Sequence, residues 1–146
     1  MSKKVWFLVA DAGRGRLMEC SRNLPGRIHV EEHDAIENEE EEHEHTRPSP
    51  RTGKSGNTYA SGGHENAYQR RRFAKEVVAW IEKKVDQFEI ETLTLIAAPR
   101  FLGELRKLYS PVLEGRVSEQ QGDLTRLTTG SLARHPTVVD LLPPED

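Results

Sequence analysis

Between Ala35 and Ser61 no apolar residue recurs with a helical or strand period, and the stretch is dense in Glu, His, Pro, Ser, Thr and Gly. A segment of that composition buries too little surface to offset the entropy of ordering it. Loops of this size inside a compact domain are uncommon, and they tend to be functional or disordered. We therefore expect a long mobile loop over residues 35–65, dividing an N-terminal set of strands from a C-terminal part built on helices. The chain has 146 residues, enough for one core of ordinary size and too few for two. Its residues are 35% hydrophobic and 31% charged, a polar balance that suits a domain leaving such a loop outside its core.

Val5 to Ala10 is continuously apolar and rich in β-formers, the pattern of a central strand covered on both faces. Asp11-Ala-Gly-Arg-Gly15 supplies turn chemistry, so Arg16 to Ser21 reads as the second strand of an antiparallel hairpin. After the turn signal Asn23-Leu-Pro-Gly26, Ile28 and Val30 alternate with polar neighbours and predict a third strand over about residues 27–34. Beyond the loop, Phe73, Val77, Ile81, Val85 and Phe88 recur at three- and four-residue steps and place one apolar stripe along a helix. The capping-box spacing of Asn66-Ala-Tyr-Gln69 starts it near Asn66. Leu93 to Ala98 is a buried strand, and Pro99 opens a second helix that turns Phe101, Leu102, Leu105 and Leu108 inward and ends at Pro111. Val117 to Gln121 reads as a strand, Thr128 to Arg134 as a short helix and residues 143–146 as a frayed tail. The order β-β-β-α-β-α-β-α predicts one α/β domain over residues 1–142, a ribonuclease H-like mixed sheet with helices on its faces.

A six-residue apolar opening run is too short for a secretory core or a membrane span, which predicts a cytoplasmic protein without membrane contact. A lone cysteine, Cys20, excludes an internal disulfide and a cysteine-based zinc site. The net charge of −3 hides two arms of opposite sign. From Glu31 to His45 there are nine carboxylates and no Lys or Arg, whereas Arg47 to Lys75 carries Arg47, Arg51, Lys54, Arg70, Arg71, Arg72 and Lys75 against Glu65 alone. His33, Asp34, His43 and His45 are residue types that ligate zinc or nickel, but a site needs fixed ligands and three of the four adjoin or lie in the charged segment expected to be disordered from residue 35 on. No metal or cofactor is therefore expected. Asp11 reads as a hairpin-turn residue rather than as a phosphate-loop or nuclease carboxylate, because the buried strand Leu93 to Ala98 offers no acidic partner. Trp6 and Trp80 read as packing residues.

Two stretches carry a resemblance. Ser61-Gly-Gly-His-Glu-Asn-Ala-Tyr-Gln-Arg-Arg-Arg-Phe-Ala-Lys-Glu-Val77 resembles the Gly-Gly-Gln loop of class 1 translation release factors, which precedes a long helix with an Arg-Phe-Ala motif. Gly62, Gly63, Arg72, Phe73 and Ala74 match, and His64 stands in place of the glutamine. Ala97-Ala-Pro-Arg-Phe-Leu-Gly-Glu-Leu-Arg106 is similar to the host attachment proteins, a bacterial and archaeal group that shares the middle-domain fold of those factors. The hairpin Leu8 to Leu17 and Gly122-Asp-Leu-Thr125 are also similar to that family, so the resemblance spans nearly the whole chain.

The resemblance implies a translation-associated module that meets the ribosome or tRNA. Gly62, Gly63 and His64 would form the catalytic loop, with at most a peptidyl-tRNA ester hydrolase-like activity in ribosome rescue. Arg70, Arg71, Arg72, Lys75, Arg51 and Lys54 would meet phosphate. Acyl transfer to water needs an ordered nucleophile and a stabilised oxyanion, and paired glycines let backbone approach RNA closely. Decoding-dependent termination does not follow, since no second domain is present to read a stop codon. The alternative expectation is a non-enzymatic interaction factor whose acidic loop engages a basic protein partner.

Overall fold

The computed structural model describes residues 4–24, 26–39 and 55–143. Its elements follow the order β1 (Val5–Ala10), β2 (Arg14–Leu24), β3 (Arg27–Glu37), α1 (Ser55–Gln87), β4 (Leu93–Ala97), α2 (Pro99–Arg106), α3 (Pro111–Glu114), β5 (Val117–Gln121), α4 (Thr129–Arg134) and α5 (Pro136–Val139). The strands form one open mixed sheet in the order β3-β2-β1-β4-β5. β1 to β3 form an antiparallel meander, and β1, β4 and β5 run parallel.

The unbroken apolar run of β1 has the role its composition predicts. Phe7 and Val9 point into one core cluster while Leu8 and Ala10 point into the other, and all four are buried. On the first face α1 and α2 lay Phe73, Val77, Ile81, Val85, Phe101, Leu102 and Leu105 over Leu8, Leu17 and Leu95. On the second, Leu132 of α4, Val138 of α5, Leu124 and Leu142 cover Phe7, Val9, Met18 and Cys20. Gly122 follows β5 and donates to the Ala97 carbonyl at 3.1 Å. A Cβ there would lie 3.0 Å from Ile96 Cγ2, so this close return of the chain requires glycine.

The structure departs from the sequence reading in several places, among them the ends of β2, which runs from Arg14 to Leu24. β3 continues to Glu37, because Ile36 packs on the α1 face opposite Gly15. Its acidic residues disguised an edge strand, where charge on the open side is normal. α1 begins at Ser55 rather than near Asn66. Glycine inside a helix costs only about 1 kcal/mol against alanine, so the Gly62-Gly63 pair is no stop signal. The expected loop 35–65 thus gives up both ends to regular structure, and residues 40–54 lie outside the described residues. Pro111 does not end α2, which stops at Arg106; it is the first residue of α3, whose Ser110 cap accepts from the Leu113 N–H at 3.2 Å. α5 was not foreseen, and its cap is His135, whose Nδ1 accepts from the Thr137 N–H at 3.2 Å. No described helix is long and apolar enough to cross a membrane.

Candidate nucleic-acid interface

Helical spacing divides the basic cluster of α1 between solvent and core. Tyr68, Arg71 and Lys75, at i, i+3 and i+7, share one exposed face, and Tyr68 is 61% exposed. Arg72 lies a hundred degrees around the helix and faces β3. Its Nη2 donates to Asn38 Oδ1 at 2.8 Å and its Nη1 pairs with Glu76 one turn on. Asn38 is 2% exposed and donates through Nδ2 to the Ala12 carbonyl at 2.9 Å, while its backbone N–H reaches Gly13 O at 2.9 Å. Arg72 thereby ties α1 to the end of β3 and to the β1–β2 turn. Arg70 is half-buried, and its Nε is enclosed without a hydrogen-bond partner.

Beside Arg72 opens a cavity of about 470 Å³ lined by Ile36, Glu37, Glu39, Arg72 and Glu76. Three carboxylates against one committed guanidinium make it a poor anion site, whereas Arg71 and Lys75 stand exposed on the outer face of the helix. The backbone of Gly62, Gly63 and His64 falls within α1 rather than in the loop expected to carry them. Arg51 and Lys54 lie outside the described residues.

The turn after β1 is filled by its own chain. Asp11 Oδ1 accepts from the N–H groups of Gly13 at 2.7 Å and Arg14 at 2.9 Å, and its Oδ2 accepts from the Thr125 hydroxyl at 2.6 Å. Arg16 donates to the Thr125 and Leu127 carbonyls at 2.8 and 2.7 Å and pairs with Glu32 at 2.9 Å. Asp11 thus closes the turn through Oδ1 and, with Arg16, holds the 125–127 segment against the hairpin, the turn role expected of it.

Residues 6–135 match the family described as "Protein required for attachment to host cells". The chain belongs to that family. Comparison with curated proteins gives no match. The matched residues run from the second residue of β1 through α4. Each block that carries the sequence resemblance contributes apolar residues to the core. Phe73 and Ala74 are fully buried, and Phe73 stacks on Phe101 with centroids 6.2 Å apart. Phe101, Leu102 and Leu105 are core, and Arg106 makes a two-pronged pair with Glu119 at 2.6 and 3.2 Å. That pair draws the Glu119 carboxyl below its usual range, while burial raises the Tyr109 phenol that donates to the same carboxylate at 3.0 Å.

A second constellation escaped the sequence reading. His33 packs at a tilt against Trp6 and Phe88, with centroids 4.8 and 5.3 Å away, and its Nε2 lies 3.0 Å from Glu19 Oε1. Asp34, grouped with His33 as a possible ligand by sequence, is instead taken by Lys84 at 2.7 Å and the Trp80 indole N–H at 3.1 Å. The Lys84 hydrogen bond leads the causes that hold its carboxyl below the usual range. His43 and His45 lie outside the described residues. The signal that would have placed His33 is a register shift between β2 and β3, which one sequence alone does not reveal.

Proposed function

We propose that this host attachment protein is a translation-associated RNA-binding module that meets the ribosome or tRNA through the outer face of α1. The observation that carries the reading is the exposed row of Tyr68, Arg71 and Lys75. Cations at one-turn spacing follow a phosphate backbone, and an exposed aromatic ring beside them offers a stacking platform for an unpaired base. Two further features support it. The strand order, with a three-strand antiparallel meander and two parallel strands beyond it, suits a ribonuclease H-like domain of the release-factor middle-domain kind. The Gly62-Gly63-His64 tripeptide precedes this face on the same helix, where it would be delivered to whatever RNA the face holds. Any hydrolysis of a peptidyl-tRNA ester would use His64 as general base.

Cosedimentation with ribosomes over a range of salt tests this reading. Wild type should pellet in a salt-sensitive manner, and the Arg71→Glu/Lys75→Glu variant should stay in the supernatant while unfolding at the wild-type midpoint. Equal pelleting of the two would remove the role given to this face. The family's description favours a second reading, an interaction factor in attachment whose acidic run binds a basic protein. Deleting residues 40–45, which spares the structural Asn38, should abolish partner binding under that reading and leave ribosome binding intact under the first.

A further inference from the structure

We infer that Glu19, Glu31 and His33 form a binding site for a first-row divalent cation of the zinc class on the β2–β3 ribbon. One donor atom from each lies within 4.8 Å of the other two. The histidine makes this a mixed nitrogen–oxygen set of a kind that borderline cations take, distinct from a patch of surface carboxylates.

The backbone brings the three together. Glu19 and Glu31 are direct cross-strand partners, and the register then shifts so that Met18 faces Glu32 while Leu17 faces Asp34. His33 is the extra residue of this bulge, which aims its ring over Glu19. Two carboxylates directly opposite each other on paired strands repel unless a cation lies between them. Lys4 answers only in part, 3.8 Å from Glu19 with a side chain 66% exposed. The imidazole is held in place, since Trp6 and Phe88 wall its ring and its side chain is 21% exposed. His33 Nε2 and Glu19 Oε1 now share a hydrogen bond at 3.0 Å; two ligand atoms each about 2.0–2.2 Å from a tetrahedral ion stand roughly 3.3–3.6 Å apart, so the pair has only a few tenths of an ångström to open to admit one. Neutral His33 with its proton on Nδ1 would present the Nε2 lone pair, Glu19 a second donor and the more exposed Glu31 a third. Water would complete the shell.

The test titrates Zn²⁺ into the full chain by calorimetry and Co²⁺ or Ni²⁺ by tryptophan quenching, since Trp6 lies against His33. One equivalent should bind and quench. His33→Ala should weaken binding at least about tenfold. Glu31→Gln, an exposed change that leaves the fold alone, should also weaken it. The histidines of the acidic arm are an obvious rival, so the His43→Ala/His45→Ala variant should retain both affinity and quenching. Wild-type affinity in His33→Ala and Glu31→Gln, or loss of binding in the double variant alone, would overturn the site.

Discussion

Arg71 and Arg72 are adjacent in sequence, and the structure assigns them opposite consequences. Removing Arg72 takes a charged donor from Asn38 Oδ1, a group 2% exposed that also fixes the β1–β2 turn. A hydrogen bond to a charged group nets roughly 1.5–3 kcal/mol, with the lower half of that range fitting a guanidinium side chain 28% exposed. The Glu76 pair adds only about 0.3–0.5 kcal/mol as an exposed i,i+4 contact. Arg72→Ala should therefore lose about 2 kcal/mol, which for a domain of this size lowers Tm by about 4–8 °C. Arg71→Ala should stay within about 0.5 kcal/mol of wild type. Under the proposed RNA-binding role the order reverses. Arg71→Ala should reduce the slope of log affinity against log salt by about 0.7–0.9, the share of one phosphate contact, and Arg72→Ala should leave that slope unchanged in folded protein. Urea unfolding followed by tryptophan emission, beside binding at four or five salt concentrations, measures both. An Arg72→Ala protein with wild-type stability and a reduced salt slope would refute the inward placement of Arg72.

Stability should also fall in acid for an identifiable reason. Lys84 depresses the Asp34 carboxyl and Arg106 that of Glu119, so the contribution of each is complete above the ordinary carboxylate range and is lost as pH falls through the lowered folded value. Urea midpoints should drop below about pH 4, and Asp34→Asn with Glu119→Gln should flatten that limb; an unchanged limb would assign acid lability to other groups. Burial pushes the Cys20 thiol up to about 12, and its side chain is fully buried between β2 and the α4–α5 layer. A thiol reagent at pH 8 should modify it only as fast as the protein opens, and prompt stoichiometric reaction in native buffer would contradict that burial.

The parts of the fold that were legible in the sequence are those where periodicity and burial coincide. β1 reads as covered on both faces because every side chain from Phe7 to Ala10 is in a core, and the α1 stripe reads true because Phe73, Val77, Ile81 and Val85 all meet the sheet. Charge hid the rest. The tail of β3 looks like the start of an acidic loop, yet Asp34, Ile36 and Asn38 each engage the helix layer or the hairpin. Composition marks Arg70, Arg71 and Arg72 as one basic group, while the partner that separates Arg72 from its neighbours is Asn38, distant in sequence. Of the candidate site, the residue types were visible and their directions were not.

One inserted residue explains much of that difference. Val30 packs into the α4–α5 face, and strict alternation would send Glu32, Asp34 and Ile36 after it, away from α1. The bulge at His33 reverses the alternation, so that Asp34 lies opposite Leu17 and Ile36 opposite Gly15, both on the α1 side. Gly15 is small where this requires it, because a Cβ would meet Ile36 Cγ2 at 3.2 Å and Trp80 at 3.7 Å. Past that point β3 serves α1 at three levels, with Asp34 holding Trp80 and Lys84, Ile36 packed between, and Asn38 holding Arg72. With Arg72 fixed inward, the helical repeat directs Arg71 and Lys75 outward as one row. The edge strand that looks least like structure in the sequence therefore sets which cations of α1 face solvent, and the same bulge raises His33 over Glu19 on the ribbon beside it.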